Sequence, residues 1–247
     1  MTYSFHKDIS TFLKLAELTF FPSFCQICSS LLEFPHEKIV CNSCWESLKV
    51  HMAAYCLCCG RFFESSTELH LCGLCLHKIP HFSCHRSCGR YEGKLKDIIL
   101  LYKYRKLHIL GKGLAQFAYQ TLGNEEAIWW GIDAIIPVPL HPKRKKQRGF
   151  NQAQIIAREL ARLKKTVVIE RVLIKLKNVP PQTSLAAEER KKNVKGIYKV
   201  SKPEQIKGKI VLLVDDVFTT GSTIYECSSV LRKAGAKDVR ALTIAQA

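Results

Sequence analysis

The chain contains 247 residues, which is enough for one ordinary α/β domain and a smaller unit, and its composition excludes a disordered protein. Lysine and arginine number 38 against 21 acidic residues, and the net charge of +17 favours a polyanionic partner such as nucleic acid over a solvated basic face of no specific purpose. No apolar run approaches the roughly 20 residues that span a bilayer, so we expect no membrane span.

The first 24 residues form an apolar leader interrupted by charge. Residues 12–24 are apolar on one side, but Lys14 and Glu17 break the run, and Asp8 precedes it. The layout of a signal peptide is absent, so we expect an amphipathic helix packed on its own protein. A chain without an export signal is expected in the cytoplasm, where its 12 cysteines stay reduced and are available to hold metal.

Eight cysteines form an internal repeat. The pattern C-x2-C-x12-C-x2-C occurs twice, and every offset between the two copies is 31 residues. Thiolates at these spacings predict two structural Zn²⁺ sites of four ligands each, which supply the folding free energy of such short ribbons. We favour sequential pairing, with cross-braced pairing as the alternative. The predicted ligands are Cys25, Cys28, Cys41 and Cys44, followed by Cys56, Cys59, Cys72 and Cys75.

The other four cysteines are Cys58, Cys84, Cys88 and Cys227. His81, Cys84 and Cys88 are close enough in sequence to suggest a third metal site, but their spacing matches no common ribbon. Cys227 is interpreted as a small core residue.

A helical, basic stretch follows the cysteines. Residues 91–106 are expected to form a helix, with apolar residues on one face and lysines mainly opposite, and a second helix is expected to end near Leu122. The apolar face consists of Leu95, Ile98, Ile99 and Tyr102. Tyr102, Tyr104 and Arg105 are candidates to stack on or clamp bases, and Lys103 is a further candidate ligand for nucleic acid or pyrophosphate. The alternative places the tyrosines in the core or at its rim and leaves the cations solvated.

Residues 133–140 predict a strand that ends in two prolines and leads into a basic run. This run, residues 143–148, precedes a further helix that opens at residues 149–152. A stiff turn beside a mobile cationic arm suits the leaving pyrophosphate in a transfer of ribose. Arg144 and Arg148 are the candidate ligands, and a nucleic-acid contact is the alternative role. Residues 175–193 are interpreted as a functional flap.

The most informative stretch is residues 209–223. Residues 210–214 are uniformly apolar and predict a central parallel strand, which ends in two acids. The following turn leads into a helix that ends near Ala234, and a further strand is expected at residues 239–245. This is a β-α-β unit.

The turn has the chemistry of a phosphate site. Asp215 and Asp216 can accept hydrogen bonds from the two hydroxyls of a ribose. Small residues at a helix N-terminus point backbone N–H groups at an anion, so a 5-phosphate fits beside the acids. Acids that merely cap the next helix are the alternative. The phosphate-binding residues predicted here are Thr219, Thr220, Gly221, Ser222 and Thr223.

This pattern resembles the loop of type I phosphoribosyltransferases, which binds phosphoribosyl pyrophosphate (PRPP). Over residues 22–247 the chain also resembles the ComF family of competence proteins. The resemblance rests on the paired cysteines and on residues 103–105, 137–140, 148–152, 181–183, Arg190, Asn193 and 214–221. One departure is the replacement of an Arg-x-Arg-x-Thr element by Lys175, Lys177 and Val179, since lysine lacks the bidentate fork of arginine.

The resemblance implies an α/β fold, with a type I phosphoribosyltransferase-like parallel sheet flanked by helices and preceded by a small double zinc ribbon. The expected divisions are a leader at residues 1–24, ribbons at 25–88 and the phosphoribosyltransferase-like domain at 89–247. It further implies that the chain handles incoming single-stranded DNA in the cytoplasm, alongside a helicase-like partner.

Three functions remain open at this point. The first is a DNA-uptake protein whose loop binds PRPP or a nucleotide. The second is an active phosphoribosyltransferase that uses PRPP with Mg²⁺, in which Asp215 and Asp216 are the catalytic residues. The third is a nucleotide-sensing regulator that binds nucleic acid. Fold alone does not decide between them.

Overall fold

The computed structural model describes residues 23–32, 39–48, 54–63, 68–177 and 196–247. The chain forms two compact units, Met1–Leu48 and Lys49–Ala247. The helix expected in the leader and most of the proposed flap lie outside the described residues. No helix within the described ranges combines the length and apolarity needed to cross a membrane.

The strands, in chain order, are β1 (Cys84–Arg90), β2 (Ala134–Pro137), β3 (Val167–Val168), β4 (Leu173–Lys175), β5 (Tyr198–Val200), β6 (Ile210–Phe218) and β7 (Asp238–Gln246). Five of them form one parallel sheet in the order β1-β7-β6-β2-β3. Residues 211–214 of β6 are fully buried, which agrees with a central strand covered on both faces. Strands β4 and β5 form a separate antiparallel pair, with Lys175 opposite Tyr198.

The helices are α1 (Asn42–Glu46), α2 (Gly73–His77), α3 (Gly93–Tyr104), α4 (Leu110–Leu122), α5 (Glu126–Trp129), α6 (Pro142–Arg148), α7 (Gln152–Lys164) and α8 (Ser222–Lys233). Helix α3 buries the four apolar residues expected on its inner face. Asn151 caps α7 by accepting a hydrogen bond from the backbone N–H of Ala153. Helix α7 packs against α4, β2 and β6.

The sheet brings the ends of β2 and β6 together. Pro137 pairs with Val214, and the backbone N–H of Val138 donates to the Val214 carbonyl oxygen at 2.9 Å. Because the strands are parallel, both carboxyl ends lie at the same edge of the sheet. The acids after residue 214 and the basic segment after residue 142 therefore start from neighbouring positions.

Two elements differ from the sequence expectation. Strand β6 does not end at the two acids, because backbone pairing with β7 continues past them to Phe218. The basic run that was expected to be a cationic arm is helix α6: Pro142 suits a first helical turn, and the His141 ring accepts from the Lys143 N–H.

Strand β1 lies at the edge of the sheet, and its sequence is polar. The boundary expected after residue 88 would fall within this strand. Its outer side is covered by the second cysteine-rich segment, since the backbone N–H of His85 donates to the Cys58 carbonyl oxygen at 2.8 Å. Arg86 adds a bond from its guanidinium to the Leu57 carbonyl oxygen at 3.1 Å. The second cysteine segment therefore belongs to the same compact unit as the sheet.

Candidate functional site

The two acids lie at the carboxyl end of β6. Within the pair, the backbone N–H of Asp216 donates to Asp215 Oδ1 at 2.9 Å. The Lys103 ammonium nitrogen, from the last turn of α3, lies 2.9 Å from Asp216 Oδ1. The two side chains of this ion pair are only 14% and 13% exposed. Lys103 therefore neutralises the charge of Asp216, and Asp215 lies beside this ion pair as a second carboxyl group.

The surroundings of Asp215 favour its neutral form. Burial, followed by the charge of Asp216, raises the pKa of Asp215 to about 7, against the opposing effects of Lys103 and Lys175. Burial lowers the pKa of Lys175, and so does the charge of Arg144, whereas Asp215 raises it. One more cation or hydrogen-bond donor at this site would stabilise the ionised form of Asp215.

The turn from β6 to α8, residues 219–223, is the cradle that the sequence predicts to bind phosphate. Gly221 precedes the first residue of α8 and adopts φ 77°. The Thr220 and Ser222 hydroxyl oxygens lie 2.8 Å apart. A 12-residue helix begins at Ser222, so its first backbone N–H groups are available at the turn. Thr219 is exposed, whereas Thr220, Ser222 and Thr223 are partly buried.

Only glycine fits at position 221. A Cβ atom there would lie 2.5 Å from Phe218 Cζ and 2.7 Å from Tyr225 Cε2. The positive φ also disfavours any residue with a side chain. The turn is therefore held tightly between two aromatic rings.

The three arginines predicted to bind pyrophosphate or nucleic acid have different environments. Arg144 is partly buried, and its pKa is lowered by burial and by the charge of Arg148. Arg148 donates to Gln152 Oε1 at 3.1 Å, and its guanidinium lies 5.6 Å from the centroid of the Tyr104 ring. Arg105 is exposed just beyond α3. The charges of Arg144 and Arg148 both act on Lys175, and the Arg148 guanidinium also connects α6 to the end of α3.

The tyrosines of α3 have different environments. Tyr102 is fully buried and donates to the Gln152 carbonyl oxygen at 2.9 Å, so it belongs to the core, as the alternative interpretation held. Tyr104 is 66% exposed. Between them on the helix, Lys103 reaches the acids.

Sequence reasoning missed two residues of this site. Lys175 was noted only as a departure from a family element, and Tyr198 was not noted. The β4–β5 pair brings them together, with the Lys175 ammonium 5.3 Å from the centroid of the Tyr198 ring. Charged residues beside a proposed flap were the available signal for Lys175, and nothing in the local sequence marks Tyr198.

The cysteine sulfur atoms form two groups. Each group takes two consecutive pairs, as in sequential pairing, and its four sulfur atoms lie within 4.8 Å of one another. Backbone N–H groups donate to sulfur in both: Cys41 N lies 3.4 Å from Cys25 Sγ, and Cys72 N lies 3.3 Å from Cys56 Sγ. Four convergent sulfurs with such donors fit structural zinc. Among the described residues no third group forms, and Cys88 lies in β1 with its sulfur 3.5 Å from the Thr243 carbonyl oxygen.

Two family models match the chain. The model described as a double zinc ribbon domain matches residues 18–76, and the model described as a phosphoribosyl transferase domain matches residues 103–247. Together they cover the two cysteine clusters, the acids and the cradle.

Several curated proteins are similar along most of their length. Competence protein F of Haemophilus influenzae is 30% identical over 234 residues, which cover 93% of this chain and 100% of that protein. DNA utilization protein YhgH of Escherichia coli K12 is 29% identical over 89% of this chain and 95% of its own length. Competence protein ComFC of Streptococcus pneumoniae is 26% identical over 87% of this chain and 91% of its own length.

Solved structures are more distant. The glutamine PRPP amidotransferase of B. subtilis is 24% identical with a TM-score of 0.35, over 58% of this chain and 26% of that chain. Adenine phosphoribosyltransferase of Saccharomyces cerevisiae is 16% identical with a TM-score of 0.35, over 57% of this chain and 72% of that chain. The family models and the curated relatives are the stronger findings, and they show that the chain belongs to the ComF family of competence proteins, with a double zinc ribbon before a phosphoribosyltransferase-type α/β domain.

Proposed function

We propose that this protein handles single-stranded DNA in the cytoplasm during DNA uptake, and that its loop binds a phosphorylated ribose, free or within a nucleotide. The last turn of α3 carries the proposal. Lys103 pairs with Asp216 at 2.9 Å, and the next residue, Tyr104, is 66% exposed beside Arg148. The sugar site and a surface suited to bases and phosphates therefore share one helical turn.

The chemistry of this surface suits a single strand. An exposed aromatic ring stacks on bases of any sequence, and each stacked base contributes about 1–3 kcal/mol. Exposed cations just beyond α3 and along α6 can neutralise backbone phosphates. They are Arg105, Lys106, Lys143, Lys145 and Lys146. Cysteine clusters that hold zinc need reduced thiols, which supports the cytoplasm, and a helicase-like partner belongs to the proposal through the family resemblance.

A charge-reversal experiment tests the surface. Binding of a labelled oligothymidine is measured by fluorescence anisotropy at several salt concentrations. Lys145→Glu with Lys146→Glu should weaken binding at least tenfold and flatten the salt dependence, because released counterions drive the association. Lys233→Glu with Lys237→Glu makes the same charge change at exposed positions around the end of α8. If the two pairs of substitutions weaken binding equally, the surface around Tyr104 is not a specific binding site for DNA.

A second pair of variants tests base stacking. Tyr104→Ala should weaken binding by about tenfold, in line with the loss of one stacked base. The control is Trp130→Ala, since Trp130 is 63% exposed just beyond α5. If Tyr104→Ala leaves the affinity unchanged, the last turn of α3 is not the binding surface.

An active phosphoribosyltransferase is the second candidate. It is favoured by the combination of two acids, the cradle and the charge of Lys175, which acts on Asp215. In that reaction Mg²⁺ would accompany PRPP, and the cations would stabilise the leaving pyrophosphate. Thermal unfolding with Mg²⁺ and rising PRPP tests it: saturation at about 100 times the dissociation constant stabilises by roughly 2.7 kcal/mol. The shift should vanish in Asp215→Asn with Asp216→Asn, and release of pyrophosphate with a base acceptor would establish turnover.

A further inference from the structure

His85 contacts both the second cysteine segment and the strand that leads to the phosphate cradle. It is fully buried in β1. Its ring Nδ1 lies 2.7 Å from the carbonyl oxygen of Cys59, a residue of the second sulfur group. Its Nε2 lies 3.0 Å from the Thr243 hydroxyl, which belongs to β7. One side chain therefore joins the turn that carries a metal ligand to the interior of the sheet.

The face of the same ring stacks on Phe218. The ring centroids lie 4.1 Å apart, with an interplanar angle of 20°. Phe218 is the last residue of β6, and its own ring fills the space beside Gly221. The order of contacts is therefore Cys59, His85, Phe218 and Gly221, with no solvent-exposed side chain in the series.

A second series of contacts runs in parallel. The Phe82 ring lies 5.1 Å from the ring of Tyr225, in the first turn of α8, and Tyr225 closes the other side of Gly221. Phe82, Phe218 and Ile224 belong to one apolar core that also contains all four cysteines of the second group. The cradle therefore rests on the same packed core as the second metal site.

The first sulfur group does not belong to this apolar core. Its four cysteines belong to the compact unit Met1–Leu48, and among the described residues they are not members of the core that holds Phe218. Two sites with the same sequence spacing thus have different surroundings. Variants of the first site can therefore serve as controls for variants of the second.

We propose that the second metal site is the structural support of the phosphate cradle, and that His85 is the positioning residue that connects them. The idea rests on the proposed function in so far as the cradle is a phosphate site. With Zn²⁺ on the second group, the Cys59 carbonyl is fixed, His85 is held against Phe218, and residues 219–223 keep their conformation at the start of α8. Loss of zinc from the second group loosens the cradle, whereas loss from the first does not.

Hydrogen exchange of the full zinc-loaded chain, followed by mass spectrometry, measures this directly. Cys56→Ser with Cys59→Ser should raise amide exchange over residues 219–225 at least tenfold. Cys25→Ser with Cys28→Ser should leave exchange there unchanged. If the two pairs have equal effects, or if neither changes exchange in the cradle, the proposal is wrong.

Variants of His85 keep the test decisive if the second cysteine pair fails to fold. His85→Ala removes the ring and should raise exchange at residues 219–225 while both zinc ions remain bound. His85→Phe keeps a ring against Phe218 and should restore part of the protection. If His85→Ala raises exchange equally in β2, or if His85→Phe gives no rescue, His85 is a general core residue and the proposal fails.

Binding of ribose 5-phosphate, measured by calorimetry, separates this proposal from the proposed function. If the wild-type protein does not bind it, the phosphate function fails, while the exchange data still decide the coupling. If the wild-type protein binds, His85→Ala should weaken binding at least fivefold, and unchanged binding would overturn the positioning role.

Discussion

Lys103 and Asp216 form an ion pair of 2.9 Å that connects the end of α3 to the end of β6. Burial disfavours the charge on Lys103, but Asp216 and then Asp215 raise the pKa of Lys103 above its ordinary value. The pair thus stabilises an acidic site and fixes the helical turn that presents Tyr104.

Lys103→Met should destabilise the fold by about 3–5 kcal/mol, because it leaves a largely buried carboxylate without its partner. Adding Asp216→Asn should recover most of that loss, and denaturant unfolding of the two single variants and the double variant measures the coupling. Lys106→Met, at an exposed position just past the helix, should change stability by less than about 0.5 kcal/mol. If the stability losses of the two single variants simply add up to that of the double variant, the ion pair contributes nothing to stability.

Asp215 should make stability fall as pH rises. The folded pKa of about 7 exceeds the ordinary value of 3.8, so between these values the folded state binds more protons than the unfolded state. The stabilising effect of the protonated carboxyl is present at low pH and is lost as pH approaches 7. Asp215→Asn should therefore gain on the order of 2 kcal/mol relative to wild type between pH 5 and pH 8. Urea unfolding at the two pH values tests this, with the exposed Asp97→Asn as control.

Gly221→Ala should destabilise the protein and abolish phosphate binding. The left-handed backbone costs about 1–2 kcal/mol, and the clash with Phe218 and Tyr225 adds about 1–3 kcal/mol. Gly208 also has a positive φ, but a Cβ atom there would meet nothing within 4 Å. Gly208→Ala therefore carries the backbone cost alone, and equal loss of stability in the two variants would contradict the close packing inferred for the cradle.

The purified protein should contain two zinc ions per chain, measured by elemental analysis. Each Cys₄ site contributes on the order of 10 kcal/mol to the folding of its ribbon, so a variant without one site should lose the local structure there. Cys25→Ser with Cys28→Ser should leave one ion bound and an unchanged thermal transition of the larger unit, since the first group lies in the other compact unit. If this variant loses both ions, the two sites do not form independently and the prediction is wrong.

Local patterns were sufficient for the elements that depend on neighbouring residues. The strand–turn–helix of β6 and α8, the inner face of α3 and the sulfur groups each follow from short-range spacing, so their residues were identified correctly. The end of β6 was misjudged because pairing with β7 is a backbone property, which the acids Asp215 and Asp216 do not interrupt.

Contacts between distant segments were not predictable. Strand β1 contains His85, Arg86 and Ser87, which resemble no buried strand, and their polar groups find partners in the second ribbon, in β7 and at Glu125. The ion pair of Lys103 with Asp216 has the same origin. A single sequence gives each residue type but not the partner that satisfies it.

The strand order also has a consequence for synthesis. Strand β7 lies between β1 and β6, and the contact of Ser87 with Thr243 spans 156 positions of sequence. On the ribosome, β1 emerges long before its neighbour exists, and such distant pairing slows folding and leaves an unpaired edge exposed to aggregation. The second ribbon precedes β1 in the chain and covers its outer edge. Zinc captured early by that ribbon would therefore protect the nascent strand until β7 arrives.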